Sequence, residues 1–293
     1  MKKTNALSIN SVKPYLYVLP MAVVFGVFSV YPILRTFYLS LMETNANATQ
    51  MKFIGLQNFR EIFTDRYFPL ILQNTLIFCA VSVAATVILG LLLAEIANHP
   101  RVKLRSFFRI AAFYPYLLPS AVAAMVWIYL YNPMRGAINL IFDQRIQWLG
   151  DPHYALAAVL VVHIWKSLGF NFLLILAGMQ NLSAELYEAA ALETNSRWKC
   201  FFRITVPMMK PTLFLVVLLS ATSSFQSMDL IALMTQGDPG NASNVLAYYI
   251  YQEGIINRRI GYGSAASVIL LLFLLGFTII YLYLEKRSVD YER

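Results

Sequence analysis

The chain has 293 residues, of which 59% are hydrophobic and 13% charged, with a formal net charge of +8. A soluble domain carries about 25% charged residues, so this chain, whose apolar residues fall in long blocks, is not an ordinary water-soluble domain but a multi-pass membrane protein. Its positive excess forms no basic stripe with interleaved aromatics; this argues against a nucleic-acid partner and for charge placed at a membrane surface.

A short basic tail, about residues 1–14 with Lys2, Lys3 and Lys13, precedes the first apolar run, Tyr15–Leu34. That run is longer than the core of a cleaved leader and no small-residue cleavage site follows it, so a retained anchor is expected. A helix needs about 20 apolar residues to cross the hydrocarbon. Five further runs meet this length: Leu70–Ala97, Phe107–Tyr131, Ala155–Met179, Pro211–Met234 and Ser264–Leu284. Continuous runs, as opposed to short alternating segments, predict helices and exclude a barrel. The expected fold is therefore an all-α membrane protein of six transmembrane helices. The longest connections, Met42–Pro69 and Thr235–Gly263, are too short for a separate soluble domain, so residues 1–293 read as one membrane domain. Pro115 and Pro119 predict a kink in the third span. Cys79 and Cys200 fall at different depths, and no disulfide is expected.

Orientation follows from Lys and Arg. One set of connections holds Lys2, Lys3, Lys13, Arg101, Lys103, Arg105, Arg109, Arg197, Lys199, Arg203, Lys210, Lys286, Arg287 and Arg293. The other set holds half as many, Lys52, Arg60, Arg66, Arg135, Arg145, Arg258 and Arg259. Both termini, including the tail of about 285–293, and the connection at about 181–210 are thus predicted to be cytoplasmic.

Polar groups inside apolar spans are costly and normally face protein or a water-filled path. In the fourth span Lys166 and Asn171 are such groups, and in the second Asn74. An unpaired lysine at the bilayer centre costs about 2.5–3.5 kcal/mol on insertion scales, so Lys166 is expected to face the bundle, either in an ion pair or on a solute. His163 reads as a hydrogen-bonded core residue. In the fifth span Ser220, Ser223, Ser224 and Ser227 recur at helical spacing, a pattern suited to close helix packing. On a continuous helix Thr222, Gln226 and Asp229 would lie roughly opposite. Carboxylate and amide groups can orient hydroxylated solutes, so Gln226 and Asp229 are path candidates; an interfacial salt bridge is the alternative for Asp229.

The cytoplasmic stretch "SAELYEAAALETNSRWKCFFRITVPMMKP" carries seven charges between two long apolar runs. Ser183 can cap a helix with Glu185 in its first turn. Strong helix formers follow, Asn195 can end the helix, and Pro207 and Pro211 lead into the fifth span. A short helix outside the bilayer is predicted.

That stretch resembles the EAA loop of binding-protein-dependent ABC transporter permeases. Glu188, Ala189 and Ala190 match its opening triplet, and Ile204, Thr205, Val206 and Pro207 its closing element. Glu193 stands for the family's Asp, while Thr194 takes the place of its glycine, a departure that Asn195 can absorb by turning one residue later. "FIGLQNFREIF", "FFRIAAFYPYLLPSAVAAMVWIYLYNP", "WKSLGFNFLLILAGMQNLSAELYEAA" and "SFQSMDLIALMTQGDP" are similar, in the same order, to segments of the carbohydrate-uptake permeases of this group. "YYIYQEGI" and the tail "EKRSVDYER" resemble its glycerol-3-phosphate branch.

The resemblance implies the six-helix importer permease fold, import by alternating access of a sugar of di- or oligosaccharide size or a related polyol, with glycerol-3-phosphate or a glycerophosphodiester as the alternative solute, and a cytoplasmic coupling helix between spans four and five. Glu188, Ala189, Ala190, Glu193, Thr194, Asn195 and Arg197 would couple that helix to an ATPase. The implied partners are a second permease subunit, two ATP-binding cassette subunits and an extracytoplasmic solute-binding protein. The chain has no G-x-x-x-x-G-K-[ST] loop, so ATP and Mg are expected on the ATPase partner and no cofactor on this chain. No His/Cys/carboxylate cluster at ligand spacing and no nucleophile–base motif appears, so neither a metal nor a catalytic site is expected. An ion-driven secondary transporter and a membrane enzyme acting on a lipid-linked sugar are the rival classes.

Overall fold

In hydrocarbon every backbone N–H and C=O must be paired within its own segment, so long apolar runs fold as helices. The structure is a computed structural model that describes residues 9–44, 50–99, 104–143, 145–183, 185–187 and 196–290. Five helical stretches are long and apolar enough to cross a membrane: Tyr17–Ser40, Phe68–Asn98, Ala155–Gln180, Lys210–Met234 and Ile260–Lys286. A sixth is obtained when Arg105–Leu117 and Ser120–Leu130 count as one span, bent by 98° at the break between them. By contact density the chain divides into two compact units, Met1–Phe63 with Gln252–Ile269, and Thr64–Tyr251 with Leu270–Arg293.

In the first unit, α1 (Ile9–Phe25) passes through a π-helical turn at Gly26–Val30 into α2 (Tyr31–Ser40). A two-stranded antiparallel ribbon follows, β1 (Met42–Thr44) and β2 (Met51–Phe53), with Glu43 opposite Lys52. Asn58, on α3 (Gln57–Thr64), donates from its amide to the carbonyls of Ser40 and Met42, both at 2.9 Å, fixing the exit from α2. Gly261 approaches so closely that a Cβ there would stand 2.0 Å from the Met42 carbonyl oxygen. Arg259 forms ion pairs with Glu61 and Glu253 and lies 4.0 Å from the Tyr262 ring centroid.

The second unit is built on α4 (Phe68–Asn98), α5 (Arg105–Leu117), α6 (Ser120–Leu130), α7 (Ala137–Phe142) and α8 (Ala155–Gln180). It continues through α9 (Arg197–Cys200), a π-helical turn at Phe201–Thr205, α10 (Val206–Met208), α11 (Lys210–Phe225), α12 (Asp229–Met234) and α13 (Leu246–Tyr251). Of the last helix, α14 (Ile260–Asp290), this unit holds the part from Leu270 onward. The buried face of α4 runs Ile71, Thr75, Phe78, Ser82, Thr86, Gly90, Ala94 and Ala97, the three- and four-residue spacing of one helix side. Its small members let α8 close in, and Ala94 and Ala97 join Phe172, Ile175, Met179 and Val216 in one apolar cluster. A second cluster gathers Phe78, Val159, Val162, Leu230, Ile231 and Tyr248. Between these clusters α4, α8 and α11 also present polar side chains, Ser82 and Thr86, Ser167 and Asn171, and Ser220 and Ser224.

The third span breaks where the sequence predicts a kink. Leu118 is extended (ψ 132°), as the residue before a proline prefers, and Pro119 opens α6. The fifth span is interrupted too, since α11 stops at Phe225 and α12 begins at Asp229.

Candidate functional site: a polar cavity at the level of the span breaks

Two cavities lie between the apolar clusters. The outer one, of about 300 Å³, is lined by Lys166, Gln226 and Asp229 together with Tyr116, His163, Ser167, Ser223, Ser227 and Leu230. An inner one, of about 160 Å³, shares Tyr116, His163, Ser167 and Ser223 with it and adds Asn171, Ser220, Ser224, Ser82 and Thr86 on polar side, and Phe170 and Leu219 on the apolar side. Three residues singled out in the fourth and fifth spans therefore meet in one space, and a fourth, Asn171, lies in the space next to it.

Each side chain is placed by local structure. Lys166 projects from the unbroken α8, and its Nζ donates to Ser120 Oγ, 2.6 Å away at the first position after the break in span three. Ser167 is spent on its own helix, its hydroxyl donating to the His163 carbonyl at 2.7 Å. His163 is buried with a serine hydroxyl at each ring nitrogen: Ser224 at 3.4 Å from Nε2 and Ser227 at 3.3 Å from Nδ1. The Ser224 hydroxyl is also hydrogen-bonded to that of Ser82 on α4. Lys166 and Asp229 are the charged groups near enough to act electrostatically on this imidazole. Tyr116 stacks on Phe170, with centroids 5.0 Å apart and planes 17° from parallel, forming a shared aromatic wall.

The serine pattern of span five resolves differently from a continuous helix. Ser223, Gln226 and Asp229, at three-residue spacing, face the same outer cavity across the irregular link after Phe225, so the serine and the carboxylate sets are not on opposite sides. Ser224 and Ser227 go to His163, and the buried Ser220 hydroxyl has no protein partner.

Asn74 lies elsewhere. It is buried, and its amide donates to the carbonyls of Asn241, Ala242 and Asn244 at 3.0–3.1 Å, pinning the loop after α12. Thr75 supports the same loop by accepting from the Leu246 N–H at 2.8 Å. Tyr116, Ser120, Ser82 and Thr86 were not singled out from the sequence. The signals for them are Ser120 directly after Pro119, and two hydroxyl residues four apart on the buried face of α4.

Of the expected coupling residues, Glu188, Ala189, Ala190, Glu193, Thr194 and Asn195 lie outside the described residues, and for Arg197 only its place at the start of α9 is described. The feet of that connection are described. Tyr187 Oη and Thr205 Oγ1 are hydrogen-bonded at 3.3 Å, and Phe201 packs into the cluster of Met179 and Met209. No group of His, Cys, Asp and Glu fit to hold a metal occurs among the described residues.

A helical bundle of apolar spans around a polar cavity, entered by broken helices, defines a membrane transport protein. Residues 86–289 match the family described as "Binding-protein-dependent transport system inner membrane component", and the chain belongs to that family. It is 34% identical to the trehalose/maltose transport system permease protein MalF of Thermococcus litoralis, over 94% of each chain. It is 31% identical to the sn-glycerol-3-phosphate transport system permease protein UgpA of Agrobacterium fabrum, over 95% of this chain and 96% of that one. Among solved structures, a chain of a bacterial alginate ABC transporter, in complex with its alginate pentasaccharide-bound periplasmic protein, superposes with a TM-score of 0.83. That match has 21% identity and covers 95% of this chain and 96% of the other.

Proposed function

We propose that the chain is the permease subunit of an ATP-driven importer that moves a sugar of di- or oligosaccharide size, or a related polyol, by alternating access. The whole chain serves as one permease domain in the cytoplasmic membrane, with both termini on the cytoplasmic side, as the Lys and Arg distribution favours. It works with a second permease subunit, two ATP-binding cassette subunits that carry ATP and Mg, and an extracytoplasmic solute-binding protein. The observation that carries this reading is the convergence of Lys166, Gln226 and Asp229 on one cavity of about 300 Å³ at the level of two span breaks. Pockets for small molecules have volumes of about 300–1,000 Å³, and hydroxyl, amide and carboxylate groups are the partners a polyol needs. The relative named for trehalose/maltose transport supports this class of solute, and the one named for sn-glycerol-3-phosphate transport favours the alternative of a phosphate-bearing polyol.

Energy enters at the connection between spans four and five. Glu188, Ala189, Ala190, Glu193, Thr194, Asn195 and Arg197 dock on the ATPase, which carries the loop as a rigid body when it closes on ATP. The test is uptake by vesicles holding the complete importer, with ATP inside and all ion gradients collapsed. Uptake continues in the wild type. In Glu188→Lys it stops while ATP hydrolysis persists. Loss of wild-type uptake with the gradients would instead establish an ion-driven transporter.

A further inference from the structure

Resting on the reading of the cavity as the solute path, we infer that Lys166 and Asp229 act as a matched pair that sets its charge selectivity, with Asp229 the residue that turns anionic solutes away. The solute is then an uncharged polyhydroxyl compound and not a phosphate ester or a sugar acid.

The outer cavity presents one cation and one anion. Neither forms a salt bridge, with the other or with any described residue. Lys166 is satisfied by a neutral hydroxyl, Ser120 Oγ at 2.6 Å, and the Asp229 carboxylate is exposed to the cavity. The lining contributed by this chain therefore carries one charge of each sign and is electrically neutral as a whole. A hydroxyl both donates and accepts, so a polyol can give protons to Asp229 and accept them from Lys166.

An anion meets a different balance. Its attraction to Lys166 is opposed by Asp229 on the wall of the same space, while its own desolvation stays uncompensated. Sites that hold phosphates or carboxylates firmly surround them with unopposed cations or forked guanidinium groups, and no arginine lines either cavity.

The inner cavity extends the argument. It has no charged side chain at all. It offers a buried Ser220 hydroxyl with no partner among the described residues and, on the same lining, the buried Asn171 amide. Both are groups that a second ring's hydroxyls can satisfy, and neither rewards a net charge.

The experiment measures equilibrium binding to the complete importer in nanodiscs without the solute-binding protein, so that selection by that protein does not enter. The probes are trehalose, maltose, trehalose 6-phosphate, maltose 1-phosphate and sn-glycerol-3-phosphate. Wild type is expected to bind a neutral sugar on the order of tenfold more tightly than its phosphate, because Asp229 offsets the attraction of Lys166 and the anion's desolvation is left uncompensated. Asp229→Asn removes most of that preference, Asp229→Glu restores it, and Lys166→Met weakens the phosphates further. A wild type that binds no neutral probe, or prefers a phosphate, overturns the inference, as does an unchanged ratio in Asp229→Asn. Should Gln226→Leu and Asn171→Leu leave all binding untouched, it is the solute path itself that is misplaced.

Discussion

Gly169 sits where α5 and α8 touch backbone to backbone. A Cβ added there would stand 2.2 Å from the Ala112 carbonyl oxygen and 2.7 Å from the Phe113 Cα. A carbon resting on a carbonyl oxygen needs about 3.3 Å, so Gly169→Ala has to push α5 away from α8 by roughly 1 Å. No side chain can rotate to relieve the contact, since both neighbours are main-chain atoms. Overpacking of this kind costs about 1–3 kcal/mol, occasionally more. Other glycines grade the test. A Cβ at Gly178 meets the Thr212 side chain at 2.6 Å, one at Gly90 meets the tip of Ile175 at 2.9 Å, and one at Gly276 meets nothing within 4 Å. Thermal unfolding of the purified complex is expected to fall in the order Gly276→Ala, Gly90→Ala, Gly178→Ala, Gly169→Ala, the first matching wild type. Because α5 carries Tyr116 and α8 carries Lys166 and Phe170, the last variant should also lose solute affinity. If Gly169→Ala melts with Gly276→Ala, the close contact between α5 and α8 is not as described and the wall of the cavity goes with it.

Asn74→Ala removes the two N–H protons that three loop carbonyls share, a cost of about 2–6 kcal/mol at roughly 1–3 kcal/mol per buried group left unsatisfied; thermal unfolding should show it while solute affinity holds. Asp151 is an exposed carboxyl held below the usual range by the His153 backbone N–H at 2.9 Å and then by the His153 ring at 2.9 Å. A lowered folded-state value means that its stabilisation is complete above about pH 4, the unfolded value, and is lost as pH falls through the folded one. The melting difference between wild type and Asp151→Asn at neutral pH should therefore close on acidification; a gap that persists in acid would contradict this.

Hydropathy made the spans legible because the bilayer dictates both length and composition. Their ends were less so. The first run was expected to stop at Leu34, yet the helix continues to Ser40, and Thr36 helps it by returning its hydroxyl to the Pro32 carbonyl at 2.9 Å. Pro119 announced a break but not its 98° angle, which depends on how α6 packs against α8 and α12. Lys166, Gln226 and Asp229 could be picked out singly by the cost of polarity in a span. Helical spacing already set Gln226 and Asp229 on one face, but their meeting with Lys166 could not be read, because no local pattern says which face of α8 packs against them. Asn74 carried the same signal as Asn171, but its amide serves a loop about 170 residues away in sequence, a partner no local pattern encodes.

The two breaks and the cavity explain one another. Backbone freed from a helix is tolerated at membrane depth only where protein buries it or a polar cavity receives it. Ser120 opens one half-helix and Asp229 the other, and the two half-helices, α6 and α12, pack together. The unbroken α8 supplies the opposite wall. From Lys166 it runs another fourteen residues to Gln180, about 21 Å at 1.5 Å per residue, and there it enters the connection that also feeds α11. The spans on either side of the connection thus bear the cavity's charged residues, and the Tyr187–Thr205 hydrogen bond ties its two feet together. In the proposed mechanism a displacement of the connection has to travel up α8 and α11 together, and above the start of α11 the place where one yields relative to the other is the link after Phe225, beside the solute.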